Sequence, residues 1–269
     1  MTSSTTIAAI QVTATPRVAE NLETAGRLIA EAAQAGARLV ALPEYFCIMG
    51  MRDRDKVDSR ENFGSGPIQD FLAQTAAREK VWIVGGTLPL ACEVPDKVRN
   101  ASLVYDDSGK CVARYDKIHL FGFQTANERY DERRSLDQGT EVVMLDTPFG
   151  RLGLSVCYDL RFPELYRAMG EVDLILIPSA FTETTGRAHW ETLIRARAVE
   201  NLCYVMAPAQ GGHHENGRDT FGNSMIVDPW GKILARLDKA PGVALAEFDR
   251  ARIAEVRASL PALAHKTLS

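Results

Sequence analysis

Short apolar runs alternate with amphipathic stretches along this chain, and this alternation constrains the fold more than any other feature. The pattern predicts a buried strand over residues 7–12, a helix with one apolar face over residues 19–35 and a second strand over residues 37–42. The order repeats with a helix over residues 68–79 and a strand over residues 81–85. Strand, helix and strand in succession indicate parallel strands joined by crossover helices, the pattern of an α/β protein.

Three pairs of apolar runs flank turn sequences that contain glycine, and each pair predicts a hairpin of antiparallel strands. The pairs are residues 102–105 with 111–115, residues 142–145 with 152–156, and residues 225–227 with 233–237. A long helix is expected over residues 188–201, whereas the polar residues 211–218 predict a solvated loop. The sum is a mixed sheet or a pair of sheets with helices outside.

The length of the chain and its share of apolar residues fit one large domain. The chain has 269 residues, of which 46% are hydrophobic, and this is enough to bury a sizeable core. No linker, low-complexity segment or short-period repeat divides it. We therefore expect a single domain over residues 1–269.

Charge, hydropathy and cysteine usage argue against several classes of partner. The net charge of -4 comes from acids and bases mixed along the whole length, so no basic face is expected to bind nucleic acid or anionic lipid. No apolar run approaches the roughly 20 residues that cross a bilayer, and residues 1–6 lack the pattern of an export signal. Five cysteines without a C-x-x-C pair argue against a disulfide framework or a zinc ribbon and favour the cytoplasm.

Cys157 is the cysteine with the clearest chemical context. The predicted strand over residues 152–156 ends immediately before it, so its thiol is expected on a sharp turn. Such a turn exposes a side chain and leaves the following backbone N–H groups free to bind an oxyanion. A thiol whose pKa is near ~8.5 is only slightly ionised at neutral pH. A nucleophile at this position therefore needs a neighbouring base or cation.

A carboxylate and an ammonium group at strand ends are better candidates for these helpers than any histidine. None of the five histidines lies in the context of a cysteine protease. Glu44 follows Pro43 at the end of an apolar strand and is a candidate general base. Lys117 follows another strand, and its ammonium suits the negative charge of a tetrahedral intermediate. The alternative for each is a solvated side chain just past a strand.

Three segments resemble, in order and spacing, the signature segments of the nitrilase superfamily of carbon-nitrogen hydrolases. They are L-P-E-Y at residues 42–45, Y-D-K-I-H-L at residues 115–120 and C-Y-D-L-R-F-P-E at residues 157–164. Further matches are P-S-A-F at residues 178–181, A-H-W-E at 188–191, R-A-R-A-V-E-N at 195–201 and D-P-W-G at 228–231. The resemblance extends from about residue 7 to about residue 260 and implies a four-layer α-β-β-α sandwich.

The resemblance also implies roles for four residues of this chain. Glu44 matches the family's general base, Lys117 its catalytic lysine and Cys157 its nucleophile. A second glutamate of the family matches Glu132 when residues 132–139 are aligned with an E-x-x-x-x-x-x-G segment. Glu128 and Asp131 are the alternatives for this fourth position because they lie close to Glu132 in the sequence.

Several further residues are expected around the site. The backbone N–H of Tyr158 is a candidate oxyanion donor. Arg161 is expected either to bind a substrate carboxylate or, with Asp159 and Glu164, to form an ion-paired floor. Aromatic side chains are expected to line the pocket or only to pack in the core, and these are Tyr45, Phe181 and Trp190. The implied chemistry requires no metal and no cofactor.

The later motifs resemble the branch of the superfamily that hydrolyses deaminated glutathione, near the ω-amidases. This resemblance implies an amidase that cleaves a small-molecule amide, with a nitrilase, an N-carbamoyl hydrolase or a general aliphatic amidase as alternatives. A catalytically silent binding or scaffold protein is the alternative outside the enzymes. Arg187 departs from the branch, which usually has proline there, and the C-terminal residues 264–269 lack its usual basic, tyrosine-ended tail. A homodimer or a larger homo-oligomer is expected by resemblance.

Overall fold

The computed structural model describes residues 4–126 and 129–267, which form a mixed α/β structure. Its strands are β1 (Thr5–Gln11), β2 (Leu39–Ala41), β3 (Trp82–Val84), β4 (Leu88–Ala91), β5 (Val98–Tyr105), β6 (Cys111–Asp116), β7 (Gly122–Gln124), β8 (Arg129–Asp131), β9 (Met144–Thr147), β10 (Gly150–Leu154), β11 (Leu174–Leu176), β12 (Tyr204–Ala207), β13 (Gly211–His213), β14 (Asp219–Phe221), β15 (Met225–Val227), β16 (Ile233–Arg236) and β17 (Gly242–Phe248). Its α-helices are α1 (Val18–Gln34), α2 (Asp53–Asp58), α3 (Pro67–Glu79), α4 (Pro163–Ala168), α5 (Glu183–Asn201) and α6 (Arg250–Ser259). Two 3-10 helices span Glu132–Arg134 and Cys157–Arg161.

Two large sheets contain most of these strands. The first has the order β17-β1-β2-β3-β5-β4, with β6 paired to β5, and the second has the order β16-β15-β12-β11-β10-β9. Strands β1, β2 and β3 run parallel, as do β10, β11 and β12, and antiparallel strands flank both sets. The parallel centres agree with the strand-helix-strand pattern of the sequence, and the antiparallel flanks agree with the predicted hairpins.

Side chains alternate between the two faces of β1 and thereby define the layers. Ala8 and Ile10 pack in one core cluster with residues of α1 and α3. Ile7 and Ala9 point to the other face and pack in a second cluster, which also contains residues of β10, β11 and α5. Both faces of the first sheet are therefore buried, one under helices and one against the second sheet. The result is the α-β-β-α sandwich that the resemblance implies.

The sequence prediction was wrong for residues 211–218. Strands β13 and β14 pair as an antiparallel hairpin there, with Gly211 opposite Phe221. His214 is only 1% exposed, and its ring nitrogens contact the Ala14 carbonyl at 3.0 Å and the Thr220 hydroxyl at 2.7 Å. A polar segment was thus mistaken for a solvated loop, because one hydrogen-bond partner of the buried His214, Ala14, lies 200 residues away in the sequence.

Helix α5 begins earlier than the sequence prediction. It starts at Glu183 because Thr182 caps it: the Thr182 hydroxyl accepts a hydrogen bond from the Thr185 N–H at 3.2 Å. Among the described residues, no helix combines the length and the apolar character needed to cross a membrane.

Candidate active site

Cys157 lies on a sharp turn that follows β10 after Ser155 and Val156, close to the strand end that the sequence predicts. Its φ of 51° is in the left-handed region, which is unfavourable for a residue other than glycine. A hydrogen bond from its N–H to the Pro178 carbonyl, at 2.9 Å, helps to hold this conformation. The residue is only 7% exposed, and it lines a narrow cavity together with Phe121, Tyr158 and Phe181. The turn therefore presents the thiol at the bottom of a cleft.

Asp159 anchors the turn that carries Cys157. Its fully buried carboxylate accepts hydrogen bonds from the Tyr115 hydroxyl at 2.6 Å and from the Val156 N–H at 2.8 Å. The same carboxylate contacts both the backbone N–H of His119 and its ring nitrogen Nδ1, at 3.0 and 2.7 Å. The Asp159 carboxylate thus links three segments, which are the turn that carries Cys157, the end of β6 before Lys117 and the loop after Lys117.

Glu44 occupies the position after β2 and Pro43, where the chain turns into the interior. It is only 1% exposed, and its Oε1 accepts hydrogen bonds from Asn100 Nδ2 at 2.9 Å and from Lys117 Nζ at 2.8 Å. Gly86 allows this turn, since a Cβ there would lie 2.1 Å from the Pro43 carbonyl oxygen. The carboxylate is therefore held by close backbone packing and by two donors.

Lys117 lies between two carboxylates. Its Nζ donates to Glu44 Oε1 at 2.8 Å and to the two oxygens of Glu132 at 2.8 and 3.1 Å. The side chain is fully buried. An ammonium in such a place is tolerated because its donors are paired with anionic acceptors.

Glu132 completes the cluster from the 3-10 helix that follows β8. Its Oε2 accepts the Phe121 N–H at 2.7 Å, and its Oε1 accepts the Tyr45 hydroxyl at 2.8 Å. Gly139, at the other end of the E-x-x-x-x-x-x-G segment, donates its N–H to the Lys117 carbonyl at 2.8 Å. Both ends of the segment therefore contact Lys117. Of the alternatives, Asp131 is exposed, and Glu128 lies outside the described residues.

The pKa shifts of the four groups follow from their burial and mutual charges. Burial raises the pKa of Glu44, and the charge of Lys117 only partly opposes this. Burial acts in the same direction on Glu132, but the charge and hydrogen bonds of Lys117 and the Phe121 N–H lower its pKa below the ordinary value. Burial opposes the charge on Lys117, yet the two glutamates together raise its pKa. Burial, followed by the charge of Glu44, raises the pKa of Cys157 well above its ordinary value.

These shifts give the two glutamates different properties. Glu132 receives two hydrogen bonds from Lys117 and is the better stabilised anion. Glu44 receives one and lies beside the Cys157 thiol, so it is the stronger base of the pair. The raised pKa of Cys157 favours its neutral thiol over the thiolate.

Of the other predicted site residues, Tyr158, Arg161 and Phe181 line the cavity next to Cys157. The Arg161 guanidinium lies over the Tyr158 and Phe181 rings, at 5.8 and 5.3 Å from their centroids, and contacts His189 Nδ1 at 3.2 Å. The ion-paired floor expected from Arg161, Asp159 and Glu164 is wrong, because Asp159 is engaged by Tyr115, Val156 and His119 and Glu164 is exposed.

The expectation that Trp190 lines the pocket is also wrong, and its alternative of packing in the core is the one observed. Its ring is fully buried behind Phe181, with ring centroids 4.9 Å apart, and its N–H donates to the Asn223 carbonyl at 2.8 Å. It supports the pocket wall and does not reach the cavity. Tyr45 lines two cavities on the Glu132 side of the site. Arg187 is largely solvent-exposed and pairs with Glu183 at 2.6 Å.

Comparison with known proteins places this geometry in a family. The family model described as carbon-nitrogen hydrolase matches residues 6–258. The chain belongs to the carbon-nitrogen hydrolase family. A deaminated glutathione amidase from Synechocystis sp. is 41% identical over 266 residues, which cover 96% of this chain and 97% of that protein.

Solved structures of the same superfamily share the fold. The crystal structure of the Caenorhabditis elegans NitFhit protein superposes with a TM-score of 0.89 at 36% identity, covering 99% of this chain and 66% of that one. A glutamate-to-glutamine mutant of an amidase from Nesterenkonia sp. AN1 superposes with a TM-score of 0.79 at 27% identity, covering 96% of this chain and 98% of that one. In that structure acrylamide has added to the active-site cysteine.

Sequence reasoning missed the residues that hold this carbon-nitrogen hydrolase site together. Asn100 bonds to the Glu44 carboxylate from inside β5, where it is one of three polar residues in a largely buried strand. Gln210 donates to the Glu44 backbone carbonyl at 3.0 Å from a distant part of the chain. Tyr115, which donates to Asp159, lies within the Y-D-K-I-H-L segment at residues 115–120, and this match was the sequence signal for its role. Within the described ranges, no three His, Cys, Asp or Glu side chains are placed to bind a metal ion.

Proposed function

We propose that this carbon-nitrogen hydrolase is an amidase in which Glu44, Lys117 and Cys157 form the catalytic triad and Glu132 supports it. The observation that carries the proposal is the Lys117 ammonium, bonded at 2.8 Å to both glutamates beside a buried thiol. A thiol, a base and a cation in contact are the minimum set for acyl transfer without histidine.

Glu44 acts as the general base because it is buried, its pKa is raised and it contacts the thiol. It accepts the Cys157 proton as the sulfur attacks the amide carbonyl carbon, so thiolate forms only when substrate is present. The carbonyl π electrons move to oxygen. This oxyanion is stabilised by the Lys117 ammonium and by the Tyr158 N–H that follows the nucleophile.

The intermediate collapses when Glu44 returns its proton to the leaving nitrogen and the carbon-nitrogen bond breaks. The acyl group then remains on Cys157 as a thioester. Glu44 next removes a proton from water, whose oxygen attacks the thioester, and the thiol leaves with that proton. Glu132 keeps Lys117 charged throughout, because it bonds to the ammonium through both carboxylate oxygens.

Deaminated glutathione is the proposed substrate, because the Synechocystis relative carries that activity in its name and matches almost the whole chain. In this compound a keto group replaces the amino group of glutathione. Cleavage of its γ-amide would leave α-ketoglutarate on Cys157 and release cysteinylglycine. Ammonia is the leaving group only for a primary amide such as α-ketoglutaramate. Arg161, beside Cys157, is the proposed contact for the carboxylate of the keto-acid part.

The test is a hydrolysis screen with deaminated glutathione, α-ketoglutaramate, simple amides, nitriles and carbamoyl amino acids. Release of both the acid and the amine is measured for the wild type, Cys157→Ala and the matched control Cys203→Ala. We expect activity on the keto-acid amides that is lost only in Cys157→Ala. Full activity of Cys157→Ala would disprove the mechanism. Turnover of nitriles or carbamoyl compounds alone would replace the proposed substrate class with one of the alternatives.

A catalytically silent scaffold remains the alternative outside the enzymes. Labelling with a thiol-reactive amide analogue separates the two, because a working site couples the thiol to Glu44. We expect labelling of Cys157 to slow markedly in Glu44→Gln. Equal labelling in both proteins, without hydrolysis of any amide tested, would support the silent alternative.

We further propose that the protein is cytoplasmic and forms a homodimer or a larger homo-oligomer. All five cysteines are free, which suits a reducing compartment. Trp230 is 57% exposed, and a large aromatic ring in water favours burial at an interface. Light scattering at micromolar concentration should give at least twice the mass of one chain, and a monomer would disprove the assembly.

A further inference from the structure

A cavity of about 190 Å³ lies next to Tyr45. Its lining includes Tyr45, Lys56, Tyr130, Asn216 and Arg218. None of the steps proposed above uses Lys56, Tyr130 or Arg218. The cavity therefore needs an explanation that the catalytic cluster does not supply.

This cavity continues into the active site. A second cavity, of about 130 Å³, shares Tyr45, Lys56, Tyr130 and Arg218 with the first and extends to Glu132 and Phe121. Phe121 also lines the narrow cavity at Cys157. Phe121 thus borders both the Cys157 cavity and the cavity that reaches Lys56 and Arg218.

Positive charge predominates in the two connected cavities. Their lining contains five basic side chains and three acidic ones. The basic residues are Arg52, Lys56, Arg129, Arg134 and Arg218, and the acidic residues are Asp53, Asp131 and Glu132. Glu132 is partly compensated by Lys117, which lies at 2.8 Å and is shared with Glu44. The free volume therefore attracts an anion.

Lys56 and Arg218 lack close anionic partners among the described residues. The nearest carboxylate to Lys56 Nζ is Asp53, at 3.8 Å, although the Lys56 side chain is only 17% exposed. Arg218 Nε is buried and has no hydrogen-bond partner within the described ranges. The Arg218 guanidinium instead lies 4.9 Å from the centroid of the Tyr130 ring. Lys56 and Arg218 are thus partly buried cations with unpaired hydrogen-bond donors. Such donors favour the binding of an anion.

The hairpin of β13 and β14 fixes Arg218 in place. Asn216 at its tip donates to the Gly50 carbonyl at 2.8 Å and accepts the Arg218 N–H at 3.1 Å. Glu215 pairs with Arg17 next to α1, with an oxygen to nitrogen distance of 2.9 Å. This hairpin, which the sequence analysis predicted as a polar loop, thus holds the Arg218 guanidinium at the cavity before any ligand binds.

We infer that Lys56 and Arg218 bind a carboxylate carried by the amine part of the substrate, beyond the scissile amide. This inference rests on the proposed amidase function. Arg161 lines the Cys157 cavity and neither of the two cavities at Lys56 and Arg218, so the keto-acid part and the amine part of the substrate have separate cationic contacts. In cysteinylglycine the matching group is the C-terminal carboxylate. The site selects substrates with an anionic leaving amine.

Two substrates that differ only at this group test the inference. They are deaminated glutathione and its derivative in which the glycine carboxylate is a neutral N-methylamide. Release of α-ketoglutarate gives kcat/KM for each, and their ratio isolates the distal carboxylate. We expect the wild type to prefer the carboxylate by at least ~10-fold, mainly through KM, since hydrogen bonds to a charged group contribute this much.

Lys56→Met and Arg218→Gln should reduce this preference toward unity, and Lys56→Arg should retain most of it. Lys110→Met and Arg151→Gln remove exposed cations elsewhere and should leave the ratio unchanged. Thermal melting of each variant checks that it is folded. A ratio near unity in the wild type would overturn the inference while leaving the amidase proposal intact.

A second role for Lys56 predicts a different result. Its charge also lowers the pKa of Glu132, so it would act on catalysis in general if this were its only role. Lys56→Met would then lower kcat/KM equally for both substrates and shift the pH profile, and this outcome would overturn the inference. If neither substrate is hydrolysed by the wild type, the proposed function itself fails.

Discussion

At the scale of single residues, the site is defined by one ammonium shared between two buried carboxylates. Lys117 cannot neutralise both Glu44 and Glu132, so the cluster carries excess negative charge in the interior. Burial raises the pKa of Glu44, and the charge of Glu132 adds to this effect while Lys117 opposes it. The buried charge that suits Glu44 to act as a base therefore lowers the stability of the fold.

Glu44→Gln tests this trade-off. The folded-state pKa of Glu44 is raised, so ionisation of Glu44 weakens the fold at neutral pH, and its stability contribution is complete only below its ordinary pKa of 4.5. Glutamine keeps the acceptor for Lys117 and Asn100 but removes the charge. We expect the free energy of unfolding to increase by about 1 kcal/mol at neutral pH, with a loss of activity.

Denaturant unfolding at several pH values measures this effect. The gain should decline as the pH falls through the raised pKa of Glu44 and vanish below 4.5, where the wild type is also protonated. Lys117→Met is the contrasting variant, because it leaves two buried carboxylates without their cation and should destabilise by about 3 kcal/mol or more. A destabilised Glu44→Gln would show that the Glu44–Lys117 attraction outweighs burial.

The protonation state of Cys157 gives a second prediction at this scale. Its pKa is well above the ordinary value of a thiol, so the resting enzyme should contain no thiolate at neutral pH. The ultraviolet absorbance of wild type and Cys157→Ala should therefore be equal in the region where thiolates absorb. A clear excess in the wild type would indicate a preformed ion pair, as in cysteine enzymes with a histidine partner.

At the scale of elements, the site depends on how closely separate segments approach. The segment that carries Glu132 packs on the strand end that carries Lys117, and Gly139 is at the contact. A Cβ at Gly139 would lie 2.1 Å from the Asp116 carbonyl oxygen, which is backbone and cannot move aside cheaply. The position of Glu132 therefore depends on a glycine seven residues away.

Gly139→Ala should both destabilise the fold and reduce activity. We expect a loss of about 2 kcal/mol from overpacking and a lower kcat, because the shift loosens the Gly139 bond to the Lys117 carbonyl. Gly122→Ala is the matched control, since nothing lies within 4 Å of its Cβ position. Denaturant unfolding and kcat are measured for both. Equal behaviour of the two variants would mean that the segment adjusts without strain.

At the scale of the whole molecule, the first and the last strand of the described residues lie in one sheet. Strand β1 pairs antiparallel with β17 over seven residues, from Thr5 opposite Phe248 to Gln11 opposite Gly242. A core cluster extends from β1 across the second sheet to α5. The two sheets thus share one core cluster, and a single domain over residues 1–269 stays a prediction.

Unfolding should accordingly occur in one cooperative transition. Calorimetry should give equal calorimetric and van't Hoff enthalpies for residues 1–269, measured at a protein concentration where the assembly state is constant. Two resolved transitions in the single chain would contradict the single domain and would indicate that the two sheets unfold separately.

Local pattern was enough to predict much of the fold. The alternation of apolar runs predicted β1, α1 and β2, because both faces of the first sheet are buried and leave a nearly continuous apolar signal. The strands of the three predicted hairpins pair as expected for the same local reason. Short strands such as β7 and β13 were missed, because three residues are too few to show an alternating apolar pattern.

The sequence by itself determined the chemistry of this protein: a thiol after a strand, an acid and a lysine after two others, and motifs that resemble one superfamily. Each of these signals is local, because a strand end is visible in the residues around it. Only the tertiary structure decided that Lys117 lies between both glutamates, that Trp190 supports the pocket from behind, and that Arg218 faces the cavity. Burial, hydrogen bonding and charge at these residues depend on segments far apart in the chain, so no local pattern records them.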